Sequence, residues 1–367
     1  MRSSRIVVLG ATGYSGGLVV DALVRRGARP VLAGRSADKL QALADRHGGL
    51  DIAVADVTDP ASVHALVSAG DVLVTGVGPF ERVGWVAAEA AVAAGAHYID
   101  STGEIGFVRE LVRRHDATTR EKGAVMLSAF GYDFVPGMLA GHLAAVEAGE
   151  TATSIDVGYF ATGSLRKGLS QGTRTTVTDG LTLPMTVLDD GVLADRRMAQ
   201  DIVSFPVRGR ATNAVLASGT EILQLPATHP HLRNVRVFNG WFPSLARLTQ
   251  FGALAATTIA RSSAGKRALD AVLSTAVGPA GGPDAAERAR TRSVAVAVAR
   301  SASGAVLAEV EVEGPSPYSV TAELMAVAAQ RLARGEGARP GVVGPIDGLG
   351  PDGFESLCVE TGLRRTR

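Results

Sequence analysis

The chain has 367 residues with 37 basic and 36 acidic side chains, a net charge of +1, and this balance excludes the basic surface typical of nucleic-acid-binding proteins. Its only cysteine, Cys358, leaves no partner for an internal disulfide and no thiolate cage for a metal. The length is sufficient for two domains with separate cores.

The first predicted element is a buried parallel strand, Arg5-Ile6-Val7-Val8-Leu9, followed by the glycine-rich turn Gly10-Ala11-Thr12-Gly13-Tyr14-Ser15-Gly16 and a helix. Gly10 permits a sharp turn, Gly13 lets backbone amides approach a pyrophosphate, and Gly16 lets the helix pack close to the strand. The free N–H groups at the helix start also favour an anion. This pattern predicts a dinucleotide-binding turn, with a purely structural turn as the alternative. The predicted cofactor contacts here are Gly10, Thr12, Gly13, Tyr14, Ser15 and Gly16.

The second predicted strand, Arg29 to Ala33, ends at Gly34-Arg35-Ser36, where NAD-specific proteins carry an acidic residue. A guanidinium pairs with a 2′-phosphate, whereas a carboxylate repels it. Arg35, with Ser36 and Lys39 beside it, therefore predicts NADP(H) as the cofactor. The alternative is that Arg35 is an ordinary surface arginine.

Two further strands extend the cofactor prediction. The third, Asp51 to Ala55, ends at Asp56-Val57, which we expect to face the adenine. The fourth, Asp71 to Thr75, runs into Gly76-Val77-Gly78-Pro79, where the small residues allow the nicotinamide ribose to lie close to the backbone.

The fifth strand, Ala96 to Ile99, ends at Asp100-Ser101-Thr102-Gly103-Glu104, and the sixth, Ala124 to Ser128, ends at Phe130-Gly131-Tyr132-Asp133. Strands that alternate with helices at this period predict a Rossmann-type, doubly wound parallel sheet. Ligands of such sheets bind outside the carboxyl ends of the strands, where these residues stand.

After about Gly149 the pattern changes to strands without crossover helices, which predicts an α+β domain on a largely antiparallel sheet. The predicted strands are Thr151 to Ala161, Ile202 to Val207, Thr220 to Leu225, and a hairpin of Val294 to Ala299 with Ala305 to Val312. A helix from Val320 to Arg334 and an irregular tail, Pro340 to Pro351, follow. The expected boundaries are residues 1–135 for the NADP-binding domain, 136–318 for a substrate and dimerisation domain, and 319–367 for a helix and tail that pack back on the first domain.

The segment Trp241 to Ile259 has apolar residues at helical spacing and one charge, Arg247. The spacing predicts a helix that lies on a membrane surface or lines a hydrophobic substrate tunnel. The alternatives are a buried helix and a dimer contact.

Five motifs together resemble the saccharopine dehydrogenase-like family, which includes saccharopine reductases and trans-acting enoyl reductases. The resemblance is strong over residues 5–145 and thin through 180–310. Two further stretches, Leu169 to Arg174 and Pro317 to Ala322, also resemble family segments. The five motifs are G-A-T-G-Y-S-G from Gly10, A-G-R from Ala33, G-P-F from Gly78, H-Y-I-D-S-T-G-E from His97 and G-Y-D-F-V-P from Gly131.

The resemblance implies NADP-linked oxidoreduction in a cleft between two domains, with Gly103 among the cofactor contacts. It does not identify the substrate. The cofactor carries the hydride, so the protein must orient it, bind the acceptor and supply a proton. The candidate proton donors lie near strand ends and are Tyr98, Asp100, Glu104, Tyr132 and Asp133.

Among these donors we favour Tyr132 and Glu104, with Asp133 as a third catalytic candidate, and we expect Arg174 and Tyr98 to contact the substrate. Asp100 and Glu104 have capping of the next helix as an alternative role. For Asp133 the alternative is to fix the loop before Pro136.

Three other enzyme classes do not fit. None of the five tyrosines has a lysine four positions later, as short-chain dehydrogenases require. Acyl-phosphate reductases need a mid-chain thiolate, and Cys358 lies near the C-terminus. His229 and His231 flank Pro230, but no acid or cysteine nearby completes a metal site, so we predict none.

The sequence therefore predicts an NADPH-dependent reductase that adds hydride to a C=N or conjugated C=C bond of a hydrophobic, biosynthetic or carrier-tethered substrate. An NADP(H)-binding sensor or scaffold without turnover is the alternative. The chain enters a strand directly and has no run of about 18 apolar residues, so we expect a cytoplasmic protein without signal peptide or transmembrane segment, with peripheral membrane contact left open. A homodimer is the expected assembly.

Overall fold

The computed structural model describes residues 4–162, 184–259 and 281–367, with the side chain of Thr257 excepted. The predicted substrate contact Arg174 lies outside these residues. The strands are β1 (Ile6–Leu9), β2 (Val31–Gly34), β3 (Ile52–Val54), β4 (Val72–Thr75), β5 (His97–Asp100), β6 (Val125–Leu127), β7 (Ala152–Thr162), β8 (Met185–Asp189), β9 (Val192–Arg196), β10 (Ile202–Val207), β11 (Arg210–Ala217), β12 (Asn234–Asn239), β13 (Arg292–Ser301), β14 (Val306–Gly314), β15 (Gly341–Val342) and β16 (Arg364–Arg365).

The helices alternate with strands in the first part of the chain and are sparse afterwards. They are α1 (Tyr14–Arg25), α2 (Ala37–Arg46), α3 (Pro60–His64), α4 (Phe80–Val83), α5 (Trp85–Ala94), α6 (Ile105–Glu121), α7 (Val135–Ala148), α8 (Glu221–Thr228), α9 (Ala246–Ile259), α10 (Ala285–Arg290), α11 (Pro317–Ala333), α12 (Pro345–Leu349) and α13 (Pro351–Glu360), with single 3₁₀ turns at Gly149–Thr151 and Pro243–Leu245.

The chain divides into two compact units, Met1–Val135 with Pro317–Gly362, and Pro136–Ser316 with Leu363–Arg367. The first unit contains a parallel sheet whose described strands run in the order β15-β6-β5-β4-β1-β2-β3. The order reverses between β1 and β4, which is the switch point where doubly wound sheets bind ligands. The predicted Rossmann-type fold is confirmed.

The inner strands β1, β4 and β6 of this first sheet are buried along their whole length, as in parallel sheets covered by helices, whereas the edge strand β3 is partly exposed. Val7, Leu9, Leu73 and Tyr98 lie in one hydrophobic core with Phe107 of α6. This rigid core fixes the positions at which the strands end, and the loops beyond those ends carry the polar residues.

The second unit contains a mixed sheet whose described strands run β10-β11-β12-β7-β13-β14-β16, with β8 and β9 beside β12. All described pairs in it are antiparallel except β12 with β7. The predicted second domain on a largely antiparallel sheet is thus confirmed. Its core is built on Phe160, Phe205 and Phe238.

Two local predictions are wrong. Thr220 to Leu225, predicted as a strand, begins helix α8, in which Ile222 and Leu225 are three residues apart and both buried. The tail predicted to be irregular contains β15, which pairs in parallel with β6, and helix α12. Among the described residues, no helix is both long and apolar enough to cross a membrane.

Candidate functional site

The glycine-rich turn lies between the carboxyl end of β1 and the start of α1. The backbone N–H groups of Gly10 and Ala11 both donate to the Ala33 carbonyl, at 2.9 and 3.1 Å, which anchors the turn to β2. Gly10 has a φ of +80°, and a Cβ on Gly16 would lie 2.1 Å from the Gly10 carbonyl oxygen. Side chains at these two positions would therefore displace the turn or the helix.

The start of α1 has the properties of an anion site. Gly13 is its N-cap residue and supplies no side-chain hydrogen bond to the helix. The N–H groups of a first helical turn lack intrahelical partners and lie at the positive end of the dipole. Thr12 and Ser15 lie within this turn, and the ring of Tyr14 packs edge-on against Tyr318 of α11 at 5.2 Å. The turn therefore fits a pyrophosphate without obstruction by a side chain.

Arg35 lies immediately after β2, with an exposed side chain. It makes no hydrogen bond or ion pair with any residue that the structure describes. Ser36 caps α2 by accepting the backbone N–H of Lys39 at 3.4 Å, and the Lys39 side chain is exposed in the first turn. Two cationic groups are therefore available beside the turn, as a 2′-phosphate requires.

Asp56 lies at the end of the neighbouring strand β3. Its carboxylate accepts hydrogen bonds from the backbone N–H and the hydroxyl of Thr58, both at 2.9 Å. These bonds, with a smaller electrostatic contribution from Arg35, lower the pKa of Asp56. Val57 packs on the core of the first unit, so this loop is held rigidly at the edge where we expect the adenine.

The loops after β1, β4 and β5 meet at Gly76. A Cβ on Gly76 would lie 3.7 Å from Cβ of Ser15 and 4.0 Å from Oγ of Ser101. The next residue, Val77, donates its backbone N–H to Oγ1 of Thr75 at 3.2 Å. The Gly76 to Pro79 segment thus lies beside the start of α1.

Glu104 fixes the end of this segment. Its two carboxylate oxygens accept the backbone N–H groups of Phe80 at 2.9 Å and of Glu81 at 2.8 Å, at the start of α4. Its own N–H donates to Oγ1 of Thr102 at 3.0 Å. Since both carboxylate oxygens accept backbone hydrogen bonds, the geometry assigns Glu104 to positioning the loop after β4. This role differs from the proton-donor role predicted from the sequence.

Asp100 joins the loops after β5 and β6 and is wholly buried. One carboxylate oxygen accepts the N–H groups of Thr102 and Ala129, at 2.8 and 2.9 Å, and the other accepts the Ser128 hydroxyl at 2.6 Å. Burial raises the pKa of Asp100 in spite of these bonds. Asp100 therefore has a structural role. It joins two loops, whereas the structural alternative expected from the sequence was capping of the next helix.

Tyr98 is wholly buried within the hydrophobic core of the first unit. Burial and the nearby Asp100 carboxylate raise the pKa of Tyr98 well above its usual range. A side chain without exposed surface cannot contact a substrate, so the predicted substrate role of Tyr98 does not fit the structure.

Tyr132 and Asp133 follow β6 at the same edge of the sheet. The backbone N–H of Tyr132 donates to Oγ1 of Thr321 in α11 at 2.9 Å. A Cβ on Gly131 would lie 3.5 Å from Cβ of Ser101, so Ser101 links this loop to Gly76. The loops after β1, β4, β5 and β6 therefore form a continuous rim from α1 to Asp133.

Asp133 lies on this rim and has a carboxyl group whose pKa is shifted toward neutrality. It retains some exposed surface, and it makes no hydrogen bond or ion pair with the described residues. Burial raises its pKa to about 6. A perturbed carboxyl group at the carboxyl edge of the sheet can donate a proton and take it back.

Sequence reasoning missed the residues that hold the rim together, chiefly Thr75, Ser101 and Thr321. Small hydroxyl residues at loop positions carry no signal of this role by themselves. Thr321 and Tyr318 do lie in the stretch Pro317 to Ala322, whose family resemblance was the available signal.

His229, which precedes Pro230, contacts His142, a contact that the sequence did not predict. Nδ1 of His142 lies 2.9 Å from Nε2 of His229, whose ring centroid is 5.8 Å from that of His231. Burial, with His142 and His231 nearby, lowers the pKa of His229 to about 4. In the described part of the chain, no group of three or more histidine, cysteine or acidic residues could hold a metal ion.

Comparison with known proteins identifies similarity mainly in the first unit. Residues 6–127 match the family model described as the saccharopine dehydrogenase NADP binding domain. Two similar relatives are a trans-acting enoyl reductase of Mycobacterium ulcerans, 37% identical over 38% of this chain and 35% of its own length, and a putative trans-acting enoyl reductase of Mycobacterium tuberculosis, 37% identical over 38% of this chain and 35% of its own length. The match thus spans about a third of the length of these relatives.

The chain is also similar to a solved structure over nearly its whole length. It is apo histidine-tagged saccharopine dehydrogenase (L-Glu forming) from Saccharomyces cerevisiae, with a TM-score of 0.64, 14% identity and coverage of 99% of each chain. At this identity the likeness establishes the fold.

Proposed function

We propose that the chain is an NADPH-dependent reductase of the saccharopine dehydrogenase-like family, whose NADP-binding-domain model matches residues 6–127. In this proposal it adds hydride to a C=N or conjugated C=C bond and is an oxidoreductase of small or carrier-tethered molecules.

Cofactor binding follows from the first unit. The turn from Gly10 to Gly16 takes the pyrophosphate on backbone N–H groups. Glycine at position 16 keeps the turn in place, since a Cβ there would clash with the Gly10 carbonyl oxygen. Arg35 and Lys39 take the 2′-phosphate, and Gly76 to Pro79 lie along the nicotinamide ribose. Ser36, Asp56, Val57 and Gly103 complete the proposed contacts. When bound, the nicotinamide supplies a hydride.

The observation that carries the catalytic part is the pKa of about 6 of Asp133. Reduction of C=N or C=C adds a hydride to one atom and a proton to the other. In its neutral form Asp133 donates that proton, and it is reprotonated from solvent afterwards. Tyr132 is buried, and we assign it to holding this loop in place, through its backbone N–H bond to Thr321.

The class of substrate rests on the relatives. Curated relatives carry the name trans-acting enoyl reductase, which favours a conjugated C=C bond. The resemblance of the sequence motifs to saccharopine reductases keeps a C=N bond as the second substrate type in this proposal. We propose an apolar substrate, free or tethered to a carrier.

The test is to follow NADPH absorbance with the purified chain and two acceptor types, conjugated enoyl thioesters of increasing chain length and cyclic imines. Consumption of NADPH with one series, lost in Asp133→Asn, is the expected result. Tight NADPH binding without consumption with any acceptor contradicts the reductase and supports the NADP(H) sensor or scaffold instead.

A further inference from the structure

Helix α9 (Ala246–Ile259) presents its large side chains away from the second unit. Leu248 and Phe251 are each 66% exposed, whereas Ala246 and Ala253 are 4% and 0% exposed. The two alanines pack with Ala199 and Val215 in a small core. Surface helices normally bury their large apolar residues, so this helix has the reverse arrangement.

The helix is held firmly in this orientation. The side-chain amide of Gln250 donates to the Gln200 carbonyl at 2.7 Å. The Arg197 guanidinium donates to the carbonyl of Gln250 at 3.3 Å. The outward position of Leu248 and Phe251 therefore follows from specific packing on the other side.

The apolar surface extends beyond these two residues. Six of the thirteen exposed large hydrophobic residues among those the structure describes fall between positions 242 and 259. Scattered exposed residues are normal, but a contiguous patch indicates an interaction surface. We define the outward apolar face as Phe242, Leu245, Leu248, Phe251, Leu254 and Ile259.

The sequence that contains this face carries charges of one sign. It has no aspartate or glutamate between Glu221 and Asp270 and six basic residues in that interval. Of the three basic residues that the structure describes there, Arg233 and Arg236 form ion pairs with Asp190 and Asp156. Arg247, on α9 itself, is exposed and forms no ion pair with the described residues. An apolar helix face with an exposed arginine on the same helix complements an anionic lipid surface.

We propose that the outward apolar face of α9 docks on the surface of an anionic phospholipid bilayer. Leucine and phenylalanine side chains enter the boundary between headgroups and acyl chains, and Arg247 pairs with a lipid phosphate. Trp241 and Phe242 precede the helix, in agreement with the preference of aromatic residues for the interface. The proposal is independent of the reductase activity.

The test is co-sedimentation of the full chain with vesicles of phosphatidylglycerol and phosphatidylcholine, compared with vesicles of phosphatidylcholine alone. We expect binding to the anionic vesicles that weakens with salt. The double variant L248Q/F251Q should lower the partition coefficient by about tenfold or more, since these side chains contribute the most exposed apolar area of the face. The matched control is V146Q/V192Q, because these valines are 62% and 66% exposed in the same unit.

Unfolding curves from circular dichroism establish that both double variants fold. Equal binding of the wild type to neutral and anionic vesicles, or no binding to either, overturns the proposal. So does equal loss of binding in both double variants. A wild-type dimer that L248Q/F251Q converts to a monomer, without vesicle binding, identifies the face as a contact between two copies instead.

Discussion

The carboxylate of Glu104 accepts the backbone N–H of Phe80 at 2.9 Å across 24 residues of chain. With the second bond to Glu81, it holds the start of α4 and hence the Gly76 to Pro79 segment. Charge-assisted bonds of this type stabilise more than neutral ones.

Glu104→Ala should therefore weaken NADPH binding by about tenfold, through displacement of the loop after β4. The pH dependence of turnover should keep its shape, because Glu104 donates no proton in this account. Titration calorimetry and steady-state rates measure the two effects. Loss of turnover with unchanged NADPH affinity would instead make Glu104 the proton donor.

Two adjacent glycines at the start of α1 give a matched pair. A Cβ on Gly16 would lie 2.1 Å from the Gly10 carbonyl oxygen, whereas one on Gly17 would meet nothing closer than 3.6 Å. Gly16→Ala should lower NADPH affinity by about a hundredfold, since the turn must open. Gly17→Ala should leave affinity unchanged and raise the thermal midpoint slightly, because alanine favours helix. Equal effects of the two variants on NADPH affinity would contradict the assignment of this turn to pyrophosphate binding.

The pKa of about 6 for Asp133 predicts a pH profile. The neutral carboxyl group donates the proton, so turnover should be constant below about pH 6 and fall as the pH rises above it. Asp133→Asn should lose turnover at every pH and retain NADPH binding. Asp352→Asn, at an exposed position of α13 in the same unit, is the control. A wild-type turnover rate that rises with pH through pH 6 would contradict the proton-donor role, because Asp133 would then act as a base or take no part in proton transfer.

The histidine cluster predicts how stability depends on pH. His229 has a pKa of about 4 in the folded chain, against about 6.5 in an unfolded one. Between these values the unfolded state binds more protons, so the free energy of unfolding falls as the pH drops from about 6.5 to about 4. His229→Gln removes this contribution, and its thermal midpoint should fall less steeply over that range. Parallel curves of thermal midpoint against pH for the wild type and His229→Gln would contradict the assignment of this pH dependence to His229.

The sequence predicted the first unit well because its signals are local. Glycine positions and strand lengths depend on a few neighbours, as at Gly16. Glu104 and Tyr98 could not be assigned in this way. The role of Glu104 depends on amides 24 residues earlier, and that of Tyr98 on burial among several elements.

In the second unit, tertiary contacts decided what local patterns left open. Thr220 to Leu225 has a pattern compatible with a strand, but burial of both Ile222 and Leu225 selects a helix. The spacing from Trp241 to Ile259 indicated a helix and gave no direction for its apolar face. The alanines determine that direction, since they are the residues that pack inward.

The central claim is that the turn after β1 binds a dinucleotide and that Arg35 selects its 2′-phosphate. Calorimetric titration of the wild type and Arg35→Asp with NADPH and NADH tests it directly, with Arg46→Asp at the exposed far end of α2 as control. The account predicts tighter binding of NADPH than of NADH, and a loss of roughly 1–3 kcal/mol of NADPH binding in Arg35→Asp alone. Equal affinity of the wild type for both dinucleotides, or no binding of either, would contradict it.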